Sequence, residues 1–252
     1  MWACVFVLIL GCRVLEAETI EEADALWLVR DVGAGEEWAS SGPLQKARNA
    51  YQSALSQNEA QAGIGLLRCA AYEATYIERD PDKRRDILES ARVLGETLLT
   101  KYPANPGLHF RVGLLWARWG EAFGVMAAVR AGVPNRLRHH METTLALDPS
   151  YGEGGPERVL GLLHFNAPYI PLILTWPSQE KAMEWLHASW QKDPRHITTL
   201  RGLAEVYYAK GEKDKAKASL REGLEAPRRQ GETLEWNDNQ RKLKALQKKW
   251  GF

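Results

Sequence analysis

Apolar positions recur every three to four residues along most of this chain, the spacing that places side chains on one face of a helix. The pattern is clearest in residues 198–227, TTLRGLAEVYYAKGEKDKAKASLREGLEAP. Leu200, Leu203, Ala204 and Tyr207 form one stripe, Gly211 interrupts it, and Ala216, Leu220, Gly223 and Leu224 form a second. Two amphipathic helices joined by a glycine turn fold back on each other. The small residues Ala204, Ala216 and Gly223 let the two backbones come close, while Leu and Tyr fill the layer between neighbouring pairs.

The second-helix stripe returns upstream. It is found at Ala182, Leu186, Ser189 and Trp190 before Asp193-Pro194, and at Leu137, Met141, Thr144 and Leu145 before Asp148-Pro149. Weaker copies run from Ala91 to Pro103 and through Ala47, Tyr51, Ala54 and Leu55. Each Pro ends a helix, because the residue before it disfavours the α region. A bulky–Leu–small–Tyr helix, a Gly turn and an Ala-x3-large helix make the signature of a tetratricopeptide (TPR) unit. The pattern therefore predicts an all-α, degenerate TPR-like helical-hairpin solenoid with a C-terminal capping helix over Gly231 to Trp250.

The periods are longer than the roughly 34 residues of a regular TPR, and the excess falls in two places. From the small residue of the first helix to that of the second, the last unit spans twelve positions, Ala204 to Ala216. The Gly161–Ala182 unit is nine longer, and the Gly113–Leu137 unit twelve longer. The extra residues are 168–176, PYIPLILTW, and part of 117–132, ARWGEAFGVMAAVRAG. The second of these, apolar through Trp116, Trp119, Phe123, Met126 and Val129, is expected to lengthen its helix. Both lie between the helices of a hairpin, so both project from one edge of the stack, where repeat arrays carry binding loops. Trp119, Phe123, Tyr169, Leu172 and Trp176 are the candidate binding residues of that apolar wall. For Trp176 two readings stand: a cover over its own helix pair, or an aromatic contact for a partner or ligand.

Composition narrows the function. Apolar residues are 45% and charged residues 26%, with a formal net charge of +1, which speaks against a dedicated nucleic-acid surface. The stretch from Trp2 to Leu10 matches the apolar region of a secretory signal and is too short to span a bilayer, although no Lys or Arg precedes it. It ends in ILGC, which resembles a bacterial lipobox. Residues 1–17 are accordingly expected to be a signal peptide and 18–252 a single TPR-like domain, with either lipidation at Cys12 or cleavage after Ala17. Cys69 is left without a partner and is expected to be a core thiol.

No catalytic set is legible. His139 and His140 are adjacent rather than i, i+4 with a carboxylate, and Glu184 and His187 form one helical pair without a second. Gly152, Gly154 and Gly155 lack the Lys-Ser/Thr of a phosphate loop and fit a turn leading into a helix with Pro156 in its first turn. The expectation is a non-enzymatic protein with no metal and no cofactor.

The order of residues from about 110 to 227 resembles the T-component proteins associated with tripartite ATP-independent periplasmic (TRAP) transporters. The resemblance is carried by Arg118-Trp119-Gly120-Glu121, Leu147-Asp148-Pro149, Gly154-Gly155-Pro156 with Arg158, Leu160 and Gly161, and Ala167-Pro168. It implies a periplasmic lipoprotein anchored to a membrane and homo-oligomerisation, a trimer being one form it could take. It also implies docking to the transporter's solute-binding subunit and a small hydrophobic ligand held in an internal cavity. The alternative function is a general periplasmic or outer-membrane TPR scaffold lipoprotein for envelope assembly.

Overall fold

The computed structural model describes residues 19–252; the expected signal segment 1–17 and Cys12 lie outside the described residues. Five helical hairpins follow one another. They are α1 (Ile20–Trp27) with α2 (Ser41–Ala54), α3 (Glu59–Tyr76) with α4 (Pro81–Lys101), and α5 (Pro106–Phe123) with α7 (Val133–Leu147), the last pair bridged by the short α6 (Val125–Arg130). Then come α8 (Gly155–Asn166) with α9 (Gln179–Lys192), α10 (Ile197–Ala209) with α11 (Lys213–Leu224), and a final α12 (Thr233–Trp250). Among the described residues no helix is long and apolar enough to cross a membrane.

The local chemistry that starts and stops these helices is explicit. The side chains of Asp80 and Asn105 accept backbone N–H bonds at the starts of α4 and α5, each with Pro in the first turn, where its missing N–H costs nothing. Tyr102, Asp148 and Asp193, each followed by Pro, leave the helical region at the ends of α4, α7 and α9, as the X-Pro punctuation requires.

Within each hairpin the close approach is set by small residues. A Cβ on Gly161 would lie 2.6 Å from Leu186 Cγ and 3.1 Å from the Leu186 backbone nitrogen, so α8 and α9 pack at a distance no larger residue allows. The apolar core is a row of five clusters, each shared by several neighbouring helices, from Tyr51 and Tyr72 at the N-terminal end to Leu220 and Leu243 at the other. Cys69 is fully buried in it, and burial pushes its thiol up to about 12, which keeps it protonated and inert.

Two features depart from the sequence reading. The 117–132 insertion lengthens α5 only as far as Phe123. Gly124 (φ +89°) and Gly132 (φ +66°) both occupy the left-handed region, which glycine enters without steric cost, so the segment breaks into the separate α6. Its Val125 and Met126 are exposed to solvent instead of continuing the apolar stripe.

The second departure concerns α12. It packs on α10 and α11, as a cap should, with Leu243 buried among Leu200, Ala204 and Leu220. It also reaches the first hairpin, 200 residues earlier in the chain. Leu234 is buried in the N-terminal cluster with Ala23, Leu44, Tyr51 and Tyr72. Arg30 pairs with Glu235 at 3.0 Å, the Thr233 N–H donates to Asp31 Oδ2 at 2.7 Å, and Asn237 and Arg241 donate to the Glu36 carbonyl. Gly231 (φ +72°) makes this crossing feasible, since a Cβ there would sit 2.7 Å from the Leu28 carbonyl oxygen. The final helix thus ties the two ends of the superhelix together.

Candidate functional site

The inward side of the superhelix is lined by α5, α8 and α10, the first helices of three successive hairpins, and α12 lies across it. Two adjoining chambers remain. The smaller, about 420 Å³, takes Phe110, Arg111 and Leu114 from α5, Tyr151 from the turn before α8, Arg158 and Val159 from α8, and His196 and Ile197 at the start of α10. Glu232, Glu235 and Trp236 of the last segment complete it. The larger, about 660 Å³, adds Tyr76, Arg118, Leu162, Leu163, Arg201 and Asp238. Leu114, Val159, Thr198, Glu235 and Asn239 line both. Such a volume accommodates a small molecule amply.

The walls mix apolar faces with charge in a deep setting. Arg111 and Arg158 are pushed down to about 10, in each case chiefly by burial, because desolvation disfavours the charged form. Asp193 and Glu232 oppose this at Arg158, whereas Arg111 lies near two further arginines, Arg68 and Arg30. Among the described residues Arg158 hydrogen-bonds to hydroxyls alone, Ser189 Oγ at 3.4 Å and Thr199 Oγ1 at 3.3 Å. Burial also raises the Glu235 carboxyl above its ordinary value, against the pull of Arg30, and its Oε2 has no hydrogen-bond partner among the described residues. His196 Nδ1 accepts the Thr198 N–H and caps α10.

The sequence-predicted wall is divided by the structure. Trp119 and Phe123 stack on each other at 4.2 Å, and Trp119 packs against the core beside α4, where its indole N–H donates to Glu89 Oε2 at 2.8 Å. Tyr169, Leu172 and Trp176 are carried elsewhere. Residues 170–174 close a tight turn through two backbone bonds, Ile170 N–H to the Leu174 carbonyl and Leu174 N–H to the Ile170 carbonyl. Leu174 is buried beneath the turn, meeting Val129 and Gly132 of the other insertion and Pro134 of α7 around a small gap. The two insertions therefore touch, through Leu174 and α6–α7 rather than through Trp119 and Phe123.

Trp176 folds back on its own hairpin and the preceding one. Its N–H donates to Asn135 Oδ1 at 2.7 Å, His164 meets its ring edge-on at 5.0 Å, and the Arg138 guanidinium lies 4.5 Å above it. The tip points outward: Leu172 is 99% exposed, Ile173 62% and Tyr169 64%. Leu172 also sits at φ +65°, which costs a non-glycine residue about 1–2 kcal/mol. Trp176→Ala is expected to lower unfolding free energy by about 1–2 kcal/mol, because it removes a bonded, half-buried ring. Leu172→Gly is expected to raise it by about 0.5 kcal/mol by relieving the strained φ, after the entropic cost of glycine. Urea denaturation of both variants checks the pair, and a destabilised Leu172→Gly protein would mean that the tip is not strained.

Pattern reading missed the chambers. Their wall residues sit on several elements, and the only local signal was GGPER, which places Arg158 next to the glycines that open α8. Among the described residues no three His, Cys, Asp or Glu side chains come together in a way that could hold a metal ion.

No protein-family model and no curated protein matches the sequence. Solved structures do match the fold. TTC0263, a thermophilic TPR protein of Thermus thermophilus, is 17% identical with a TM-score of 0.55 over 81% of this chain and 92% of that one. The pilF protein of Pseudomonas aeruginosa is 12% identical with a TM-score of 0.53 over 92% and 93% of the two chains. The fold is a TPR-like solenoid. At these identities the likeness concerns architecture alone.

Proposed function

We propose that this TPR-like protein is a non-enzymatic, exported accessory protein of a TRAP-type solute transport system. In this reading it holds a small, largely apolar ligand in the inner chambers and docks the periplasmic solute-binding subunit with its outer surface. Lipidation at Cys12 and assembly as a homo-oligomer at the membrane, a trimer being one form, belong to the same reading. The supporting observation is the course of α12. Open superhelical arrays offer a long concave groove to extended partners, but here α12, tied to α1, occupies that groove and leaves chambers of small-molecule size.

The outer surface has its own feature, the exposed apolar tip Tyr169, Leu172 and Ile173, which also suits a general envelope scaffold. A native pull-down with the full-length protein separates the two readings. Recovery of a TRAP solute-binding protein is expected, and recovery of envelope-assembly proteins without it would replace the transport reading with the scaffold one.

A further inference from the structure

Charged groups deep in a protein are ordinarily paired, because an uncompensated buried charge is expensive. Arg111, half-buried, departs from that rule. It projects from α5 into the smaller chamber, and its Nε is buried without a partner. Among the described residues its guanidinium meets only the face of Phe110, at 5.2 Å. Arg158 lines the same chamber and, like Arg111, makes no ion pair there, holding only long bonds to two hydroxyls. Of the carboxylates nearby, Asp193 is engaged with Arg229, Glu157 with Lys192 and Glu235 with Arg30, while Glu232 lines the same chamber and ion-pairs with neither arginine. A guanidinium offers a planar fork of N–H donors that fits a carboxylate bidentately. Beside these two forks stand Leu114, Val159, Ile197 and Trp236, an apolar wall for a hydrocarbon body.

We infer that the smaller chamber is a binding site for a small organic carboxylate, whose head group pairs with Arg111 and Arg158 and whose apolar body lies along Leu114, Val159, Ile197 and Trp236. This rests on the reading of the chambers as a small-ligand site and specifies its ligand class. The incoming anion supplies the ion pair that neither arginine makes in the folded chain, so occupancy stabilises the protein by linkage.

The test uses the full-length protein with 4-phenylbutyrate, its neutral isostere 4-phenylbutyramide, and inorganic phosphate, followed by calorimetric titration and thermal unfolding. The carboxylate is expected to bind at least tenfold more tightly than the amide and than phosphate, and to raise the unfolding temperature. Arg111→Gln is expected to lose that tenfold preference, to bind the amide as the wild type does, and to be at least as heat-stable without ligand. A merely structural arginine would instead lower the stability of the unliganded variant. Equal binding of carboxylate and amide overturns the anion site while leaving a ligand chamber in place. Equal binding of phosphate overturns the apolar half of the site. Binding of none of the three overturns both the inference and the chamber reading beneath it.

Discussion

Glu235→Ala is expected to lower the unfolding free energy by about 3 kcal/mol and to loosen the first and last helices together. Arg30 is 4% exposed, with its guanidinium 4.0 Å above the Trp27 ring and 5.0 Å from that of Tyr72. Glu235 is the carboxylate that neutralises it, at 3.0 Å. Removing one partner of a buried pair leaves a desolvated charge, which costs roughly 3–5 kcal/mol. The lower end applies here because the Glu235 side chain is 33% exposed towards the chambers, so water can partly resolvate the site.

The double variant Arg30→Met with Glu235→Leu separates charge from packing. Replacing a buried pair by apolar residues is commonly neutral or stabilising, so it should recover most of the loss. Urea denaturation gives the energies, and amide hydrogen exchange over α1 and α12 shows whether these helices open before the rest. If Glu235→Ala unfolds at wild-type urea concentration, the tie between the ends contributes nothing and the chambers are open in solution.

That tie is what sequence periodicity could not reveal. Helical spacing reports which face of a segment is apolar, and it placed the second helices of all five hairpins, because Leu137, Ala182 and Ala216 sit in strong stripes, Ala47 and Ala91 in weaker ones, and three of those helices end at an X-Pro step. It also located the insertions, since packing geometry fixes the distance between small residues wherever no residues are added. It carries no information on partners far apart in the chain. Leu234 reads as a capping-helix residue in its own segment, yet it is buried against Tyr51 and Tyr72 of the first two hairpins. Trp119 shows the same gap at shorter range. Its position in the insertion suggested a free wall, but Glu89 of α4 accepts its N–H and draws it into the core. Arg111 stood on a helix face that pattern analysis treats as ordinary solvent-facing polarity. Only the course of α12 turns that face inward.

The histidines give the second large expectation, loss of stability on mild acidification. His196 is held down to about 2 by burial, with Arg158 and Arg229 adding to it, and its Nδ1 cannot accept the Thr198 N–H once protonated. His140 is held down to about 4 by burial and by His109, His139 and Arg136. Its Nδ1 lies 3.1 Å from His109 Nδ1, while His109 Nε2 lies 2.9 Å from the Pro103 carbonyl. The carbonyl can only accept, so neutral His109 carries its proton on Nε2 and accepts at Nδ1 from His140. A further proton on His140 would put a cation beside two other histidines and an arginine.

For both groups the folded value lies below the ordinary 6.5. Below pH 6.5 the unfolded chain therefore binds protons that the folded chain refuses, and stability falls as pH falls. Each site contributes at most about 1.4 kcal/mol per pH unit, so the two together remove on the order of 2–4 kcal/mol by pH 5, after discounting for their partial exposure. His164 and His187, also lowered by burial, act in the same direction. Glu235 acts against them: its raised value lets the folded state take up a proton first, which adds stability as pH falls through that value. The carboxylates held below their ordinary value, such as Glu59 and Asp148, lose their contribution only nearer pH 4 and leave this window to the histidines. Urea midpoints should accordingly drop between pH 7 and 5. His196→Asn preserves a side-chain acceptor at the α10 cap and removes the titrating ring, so its midpoint should fall less steeply over the same range. An unchanged slope would mean that His196 takes up its proton without leaving its place, and that the end of α10 beside Arg158 is looser than its packing indicates.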